Sequence, residues 1–327
     1  MSASTPNTAA DRDPAEIHVM VGAIADHEGR ILIARRPEGV HQGGLWEFPG
    51  GKLETGESPI AGLARELDEE LGIRVEHSRP LIRVRHHYGD RRVLLDVHRV
   101  ERYAGTPEGR EGQPLDWVHP EAMDPDDFPA ADRPIITALR LPPLMLITGA
   151  DPEHTGQFLR RLERALEGGV RLVQLRAHAL GAADYRALAE QAFVCCERHG
   201  ARLLLNRAPE EVVGVPRHGL HLGSSLLARL SARPGAPGEL VGAACHDAAE
   251  LDRIATLGLD YALLSPVKTT ATHPGAPALG WSRFAAIAAS ANVPVYALGG
   301  MTRDDLDTAW DLGAQGIAAI RGLWPGD

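Results

Sequence analysis

Residues 51–73, GKLETGESPIAGLARELDEELGI, decide how the first half of the chain folds. Ser58 and Pro59 are typical of the first positions of a helix, and Gly72 is typical of the residue just past its end. At about 100° per residue, one face of this helix collects the apolar side chains of Ile60, Leu63, Ala64, Leu67 and Leu71. The stretch therefore predicts a helix that buries one side and exposes the other.

Glu66, Glu69 and Glu70 share a face of this helix away from its apolar side. Like charges at this spacing destabilise a helix by about 0.2–0.5 kcal/mol per pair, so a partner that offsets the repulsion is expected. A magnesium ion meets that need, because it prefers carboxylate oxygens and also binds substrate phosphates. The alternative is a solvated acidic face that binds nothing.

The spacing of this stretch resembles that of a known family. From Gly51 to Ile73 it matches the pattern GX5EX7REUXEEXGU of the Nudix hydrolases, in which U is an apolar residue. From Arg36 onward the chain is also similar to the MutT-type Nudix hydrolases, through LWEFPGG, EGQP and DDFPAADRPII. The resemblance implies that 8-oxo-dGTP, or a related nucleoside triphosphate, is cleaved to the monophosphate and pyrophosphate. Mg2+ is the implied cofactor, with Mn2+ as an alternative.

That resemblance also implies roles for individual residues. A divalent cation is expected to be bound by Gly50, Glu66, Glu69, Glu70 and Glu111. The nucleotide is expected to be contacted by Arg36, His41, Phe48, Gly50 and Asp132. Glu57 and Arg65 complete the catalytic set, with Arg65 interpreted as a structural partner of a glutamate because it lies off the acidic face. Glu66 and Glu111 are the candidates for the carboxylate that takes the proton from water.

Asp132 departs from the MutT pattern, which has an asparagine that reads the edge of the oxidised purine. An ionised aspartate only accepts hydrogen bonds, whereas asparagine both donates and accepts. A protonated Asp132 could do both. The other interpretation is that Asp132 caps the closing helix ahead of Arg133 and Pro134, and the two roles are compatible.

Composition and charge exclude several classes of protein. The chain has 327 residues, enough for two domains, with 44% hydrophobic residues, 24% charged residues and a formal net charge of −10. This charge argues against a protein that binds duplex nucleic acid through its phosphates. The sequence has neither an apolar run long enough to span a membrane nor a pattern that predicts export. Cys195, Cys196 and Cys245 have no disulfide or zinc spacing, which predicts buried thiols in a reducing cytoplasm.

Short apolar runs surround the acidic helix in the first half of the chain. Strands are predicted for IHVMVGAIA, for RILIARR and for a hairpin about Gly89 and Asp90, and a closing helix is predicted for DRPIITALRL. Strands between two helices predict an α/β/α sandwich with a mixed sheet over residues 16–140. Residues 1–15 are polar and contain prolines, which predicts a disordered tail.

The pattern changes after LRLPP at residues 139–143, whose prolines predict a short linker. Eight short, nearly continuous apolar runs follow, from LMLITGA to QGIAAI, with helical segments between them. Strands buried on both faces predict a parallel (β/α)8 TIM-type barrel over residues 141–327, with a doubly wound sheet as the alternative. Gly299 and Gly300 follow a strand and suit either a phosphate-binding loop or a plain tight turn.

The second half resembles the thiamine phosphate synthase/TenI family through VQLR, HLG, the loop SPVKTTATHPGAPALGW and YALGG. It departs from the synthases where they carry the charges that support magnesium and pyrophosphate. Arg207 stands in place of an aspartate after Asn206, and residues 177–178, 224–226 and 269–273 lack the expected lysine, acid and basic loop. We therefore expect a barrel that does not make thiamine phosphate.

Two interpretations of the barrel are open. A TenI-like isomerase or a ligand-binding module would use the retained residues Arg176, Asn206, His221, Gly299 and Gly300. The alternative is a structural or regulatory appendage, in which these polar residues only form hydrogen bonds within the mouth of the barrel.

For the whole chain we predict a hydrolase that works through its N-terminal domain and removes damaged nucleotides from the nucleotide pool, which avoids mutation. One alternative is hydrolysis of a thiamine-related diphosphate, with the barrel recognising substrate or product. Another is a thiamine-precursor sensor with a residual Nudix fold. The expected partners are a nucleoside triphosphate and a thiamine-related phosphate in the barrel, without duplex nucleic acid or a membrane.

Overall fold

The computed structural model describes residues 16–39, 42–89, 91–149, 154–269 and 277–325. The predicted tail at residues 1–15, His41, Asp90 and most of the 269–273 loop lie outside these ranges. Within them, no helix has the length and the apolar character that crossing a membrane requires.

Two small sheets form the first half of the chain. The four-stranded sheet contains, in spatial order, β4 (Gly50–Lys52), β1 (Glu16–Ile24), β6 (Arg92–Ala104) and β5 (Arg74–His87). The three-stranded sheet contains β3 (Trp46–Glu47), β2 (Ile31–Arg35) and β7 (Leu115–Val118). β1 runs parallel to β6 and all the other pairs are antiparallel, so the predicted mixed sheet and the β5–β6 hairpin are confirmed.

The acidic helix forms as its sequence predicts. Helix α1 (Pro59–Leu71) begins after Ser58, whose hydroxyl accepts a hydrogen bond from the Ala61 backbone N–H at 3.3 Å. It ends at Gly72, which has a left-handed φ of 72°. Its buried side packs on the four-stranded sheet through Leu63, Leu67 and Leu71. The predicted burial of Ile60 is wrong, because this residue lies in the first turn of the helix and stays 50% exposed.

Helix α2 (Arg133–Arg140) is the predicted closing helix and packs on the opposite side of the sheets. Ile135, Ile136 and Leu139 are buried there together with Phe48 and Phe128. The two layers of helix confirm the α/β/α arrangement. Helix α2 includes the first two residues of the predicted linker, so the connection to the next strand is shorter than LRLPP suggests.

The second half is a closed barrel of eight parallel strands, which confirms the TIM-type prediction and rules out the doubly wound sheet. Its strands are β8 (Leu144–Ile147), β9 (Leu172–Leu175), β10 (Arg202–Leu205), β11 (Gly219–Leu222), β12 (Leu240–Cys245), β13 (Tyr261–Leu264), β14 (Val295–Leu298) and β15 (Gly316–Ala319). Its helices are α3 (Thr155–Glu167), α4 (Ala182–Arg198), α5 (Ser224–Leu227), α6 (Ala248–Thr256), α7 (Gly280–Ala288) and α8 (Leu306–Asp311). Single helical turns occur at Pro120–Ala122, Pro125–Asp127, Pro209–Val212 and Arg303–Asp305.

The barrel wall contains the three cysteines, all of them buried and free as the sequence predicts. Burial raises the pKa of Cys196 and of Cys245 to about 12. Both thiols therefore stay protonated at neutral pH, and the cysteines contribute to packing.

The two halves contact each other at the amino-terminal end of the barrel. On strand β5, the backbone N–H of Arg85 donates to the side-chain oxygen of Asn292 at 2.7 Å, three residues before strand β14 begins. The Arg79 guanidinium lies 4.2 Å from the ring centre of Trp310 on helix α8. Helices of a barrel run back toward the start of the strands, so Trp310, near the end of α8, also lies at this end. The carboxyl-terminal mouth of the barrel faces away from the first domain.

The packing of helix α1 predicts a stability difference between two of its apolar residues. Replacing the fully buried Leu67 in Leu67→Ala is expected to lower the free energy of unfolding by about 2–5 kcal/mol, because a cavity opens against strand β1. The matched control Ile60→Ala is expected to change it by less than about 0.5 kcal/mol, because Ile60 is largely in water. Urea denaturation measures both, and equal losses would contradict the packing described.

Candidate active site

Arg65 lies between three glutamates and binds all of them. Its Nε and Nη2 donate to the two carboxylate oxygens of Glu57, each at 3.1 Å. Its Nη1 donates to Glu66 at 2.9 Å and to Glu69 at 3.1 Å. The hydrogen bond from Arg65 also lowers the pKa of Glu57. The acidic face of helix α1 is thus partly neutralised by an arginine of the same helix.

Glu70 points to the other side of this face and is held by the loops around it. Its carboxylate accepts hydrogen bonds from the Gly50 backbone N–H at 2.9 Å and from the Gln113 side chain at 3.3 Å. Burial raises the pKa of Glu70 to about 7, and the nearby carboxylates of Glu47 and Glu111 add to the rise against these two hydrogen bonds. Glu47, Glu70 and Glu111 therefore form a group of mutually repelling acids, here called the acid group.

The glycines before helix α1 allow the loop to approach these acids. Gly50 has a φ of 149°, and a Cβ there would lie 2.1 Å from the Met20 carbonyl oxygen. A Cβ on Gly51 would lie 2.1 Å from the Glu66 carboxylate. A larger residue would therefore collide with the backbone of strand β1 at position 50 and with Glu66 at position 51, so the loop requires glycine at both.

The donor atoms of this site suit a hard divalent cation, because they are carboxylate oxygens with a deficit of positive charge around Glu70. In the described part of the chain, no three His, Cys, Asp or Glu side chains converge into a ready-made metal site. Arg65 instead engages Glu66 and Glu69. A cation would have to draw the glutamates together, so the predicted ligand set stays a prediction.

A second group of polar residues lies beside the acid group. Arg36 forms an ion pair with Glu47, and Asp132 is 7% exposed and close enough to both for their charges to act on it. The charge of Asp132 in turn acts on Tyr88 at the tip of the β5–β6 hairpin. The Phe48 ring, which follows Glu47 in the chain, is buried and stacks on Phe128 with ring centres 5.6 Å apart. We call Arg36, Asp132 and Tyr88 the polar pocket.

Asp132 occupies the position before helix α2, but its side chain does not cap the helix. Its φ and ψ of −87° and −17° are helical, whereas a capping side chain requires an extended backbone. Its carbonyl instead accepts from the N–H groups of Ile135 and Ile136. Burial, together with the charge of Glu47, raises the pKa of Asp132 to about 7 against the influence of Arg36. The interpretation of Asp132 as a side-chain cap is therefore wrong, and its carboxyl is free to serve the pocket.

Three residues of the site were not predicted from the sequence. Glu47 acts on acids of both groups, Gln113 connects the Glu111 loop to Glu70, and Tyr88 lies close enough to Asp132 for its charge to act on it. The sequence could have marked Glu47 as a site residue, since it is an acid between the apolar residues Trp46 and Phe48, shortly before the glycine loop. Gln113 and Tyr88 lie in loops without a pattern that marks them.

The candidate residues of the barrel fall into two groups. Arg176, Asn206, Gly299 and Gly300 directly follow strands β9, β10 and β14, so they lie around the mouth. His221 lies within strand β11, is buried and shares a hydrogen bond with the Tyr261 hydroxyl at 3.0 Å. Burial lowers the pKa of His221 to about 3, so it is a neutral histidine of the barrel interior.

Arg207 lies where the synthase pattern carries an acid. Its Nη2 donates to the carbonyl oxygens of Ala177 at 2.8 Å and Leu180 at 2.7 Å, and its guanidinium lies 4.6 Å from the ring centre of Tyr185. This arginine connects the loops after strands β9 and β10. A fixed positive charge thus occupies this part of the mouth.

Comparison with known proteins identifies two families. The model of the NUDIX domain matches residues 20–138, and that of thiamine monophosphate synthase (TMP-TENI) matches residues 144–323. The chain is 38% identical over 125 residues to an 8-oxo-dGTP diphosphatase of Escherichia coli, which covers 38% of this chain and 97% of that protein. It is 38% identical over 119 residues to a CTP pyrophosphohydrolase of Escherichia coli, and this match covers 36% of this chain and 88% of that protein. It is 36% identical over 167 residues to a thiamine-phosphate synthase of Thermus thermophilus, and this match covers 50% of this chain and 80% of that protein.

The buried carboxyl of Asp132 predicts a specific dependence of stability on pH. The folded protein holds this proton up to about pH 7, whereas the unfolded chain releases it near its ordinary value of 3.8. Asp132 therefore makes stability fall as pH rises between these values. Asp132→Asn is expected to remove a loss of about 2–4 kcal/mol between about pH 5 and about pH 8, measured by urea denaturation. Asp126→Asn, which changes an exposed acid, is the control, and an unchanged slope in Asp132→Asn would contradict the burial.

Proposed function

Because the chain belongs to the Nudix family through residues 20–138 and to the thiamine monophosphate synthase family through residues 144–323, we propose that its N-terminal domain hydrolyses 8-oxo-dGTP or a related nucleoside triphosphate. The products are the monophosphate and pyrophosphate. One observation carries this proposal: Glu47 acts electrostatically on both Glu70 and Asp132. The acid group and the polar pocket therefore adjoin, as a site for a triphosphate and its base requires.

The acid group and helix α1 form the phosphate end of the site. Glu66, Glu69, Glu70, Glu111 and the Gly50 carbonyl are the residues that would hold Mg2+, with Mn2+ as the alternative. When bound, a divalent cation neutralises phosphate oxygens and makes a water molecule more acidic. Arg65 serves as a positioning partner, because its bonds to Glu57 set the place from which it reaches Glu66 and Glu69. Glu66 and Glu111 are the two candidates for the base.

The polar pocket forms the base end of the site. With a pKa of about 7, Asp132 is present in both protonation states near neutral pH. The protonated carboxyl both donates and accepts a hydrogen bond, as an asparagine does. Arg36 provides a positive charge near it, and Phe48, which stacks on Phe128, is a further proposed contact of the nucleotide. His41 completes the proposed nucleotide contacts.

The identity of the base is the point on which the relatives differ, because one is named for 8-oxo-dGTP and another for CTP. We place 8-oxo-dGTP first, which gives the protein the role of cleansing the nucleotide pool. Comparison of kcat/KM for 8-oxo-dGTP, dGTP, CTP, ADP-ribose and thiamine pyrophosphate tests this order. A preference for thiamine pyrophosphate would favour the alternative function. The first domain contacts the amino-terminal end of the barrel, whereas Arg176, Asn206 and Gly299 lie at the other end, which argues against one substrate contacting both sites.

The barrel is proposed to have lost the synthase reaction. Arg207 brings a positive charge to the position of a magnesium-binding acid, and its bonds to Ala177 and Leu180 hold it there. A divalent cation at the same place would be repelled. The barrel thus serves the chain as a structural part.

Two substitutions on helix α1 test the phosphate end. Glu69→Gln or Glu70→Gln is expected to lower kcat by about a hundredfold or more with the fold intact, because each removes a metal ligand. Asp68→Asn on the same helix is the matched control and is expected to stay within about twofold of the wild type, since Asp68 is exposed and pairs with Arg110. Hydrolysis is measured by pyrophosphate release, and full activity in both glutamine variants would reject the mechanism.

A ligand titration tests the barrel. The full-length protein is expected to form no thiamine phosphate from the thiazole phosphate and the pyrimidine diphosphate, and to give no saturable heat with either. Arg207→Asp is the comparison variant, because it restores the acid of the synthase pattern. Product formation or saturable binding by the wild type would assign the barrel a ligand and reject its purely structural role.

A further inference from the structure

The barrel supplies the last hydrogen bonds of helix α2, which belongs to the other domain. Gln315 lies directly before strand β15, is 5% exposed and donates from its Nε2 to two backbone carbonyls. These are the carbonyls of Ala138, at 3.0 Å, and Leu141, at 2.7 Å. Arg202 at the start of strand β10 donates to the carbonyl of Arg140. The last carbonyls of a helix lack their usual partners. Here the Ala138 carbonyl also accepts from the Leu141 backbone N–H at 3.3 Å, so the barrel adds a second donor there and supplies donors to the carbonyls of Arg140 and Leu141.

The other end of the same helix carries a pocket residue. Helix α2 has eight residues and begins directly after Asp132, so the barrel contact lies only about 12 Å from the polar pocket. The helix between them is packed in the core through Ile135, Ile136 and Leu139. A short packed helix moves as one body, and a shift at its last turn therefore moves Asp132.

A second contact joins the barrel to the opposite side of the pocket. On strand β5, Arg85 donates from its backbone to Asn292 at 2.7 Å and from its side chain to the Ala289 carbonyl at 2.6 Å. Tyr88, whose hydroxyl senses the charge of Asp132, lies three residues further along this hairpin. The barrel thus touches two of the three elements that carry the polar pocket, helix α2 and strand β5.

We propose that Gln315 is a positioning residue of the nucleotide site, which holds helix α2 so that Asp132 faces the base. The barrel then fixes the position of helix α2 and so influences the specificity of the first domain for one purine over another. This inference rests on the proposed function for its substrate but on the hydrogen bonds of Gln315 for its geometry.

The test compares two glutamines of the barrel that differ in what they touch. Gln315 and Gln174 are both buried, and both have a side-chain oxygen without a partner among the described residues. Gln315→Leu removes the donor to helix α2, whereas Gln174→Leu makes the same change on strand β9, away from that helix. Gln315→Asn keeps a shorter amide and carries the test if the leucine variant does not fold.

The expected result is a change of specificity rather than of turnover. For Gln315→Leu, KM for 8-oxo-dGTP is expected to rise about tenfold with kcat within about twofold, because a lost pair of hydrogen bonds misplaces the base. The ratio of kcat/KM for 8-oxo-dGTP to that for dGTP falls by about fivefold or more. This ratio does not depend on the fraction of folded protein. Gln315→Asn is expected to lie between, and Gln174→Leu to match the wild type.

A titration provides a readout that needs no activity. Carbon-13 NMR of the Asp132 carboxyl measures its pKa in each variant, and loosening helix α2 in Gln315→Leu admits water and lowers that pKa. Unchanged pKa and specificity in Gln315→Leu would overturn the inference, as would equal changes in Gln174→Leu. Absence of nucleotide hydrolysis in the wild type would instead reject the proposed function, and the titration alone would then decide the role of Gln315.

Discussion

Repulsion among carboxylates is the constraint around which the first domain is arranged. Glu70 is buried near Glu47 and Glu111, and this crowding is unfavourable for three charged groups. Local partners offset part of this repulsion. The Gly50 N–H and the Gln113 side chain donate hydrogen bonds to Glu70, and Arg36 forms an ion pair with Glu47. Arg65 does the same for the more exposed glutamates of helix α1. A divalent cation and a polyphosphate are the groups whose charges such a site can use.

The acids of the site differ in their surroundings, and these surroundings determine what each acid can bind. The helix glutamates lie on a face that water reaches, where an anionic substrate complexed with a cation can approach. Asp132 is buried, where the neutral carboxyl is favoured, and is the proposed contact for the base of a nucleotide. Glu47 lies between the two on a two-residue strand. In the proposed function, this short strand relates the phosphate end of the site to its base end.

The two domains are joined through the end of the barrel that (β/α)8 enzymes use for stability rather than for chemistry. Gln315 and Arg202 lie at the start of their strands, and Asn292 lies shortly before its own. The mouth, with Arg176, Asn206 and the Gly299–Gly300 loop, opens on the far side. Arg207 binds the loops of this mouth, whereas the contacts of the barrel with the first domain lie at its amino-terminal end.

Local sequence determined helix α1, the eight barrel strands and the group of glutamates, because caps, periodicity and spacing are properties of neighbouring residues. The same signals failed at Ile60, which lies on the apolar face but stays exposed in the first turn of the helix. Distances between remote segments were decided by the tertiary structure. Glu47 meets Glu70 and Asp132, and His221 is sealed into the barrel interior, through packing that no spacing records. Gln315 reaches Ala138 across 177 positions of the chain, since folding brings the start of a barrel strand to the end of another domain's helix.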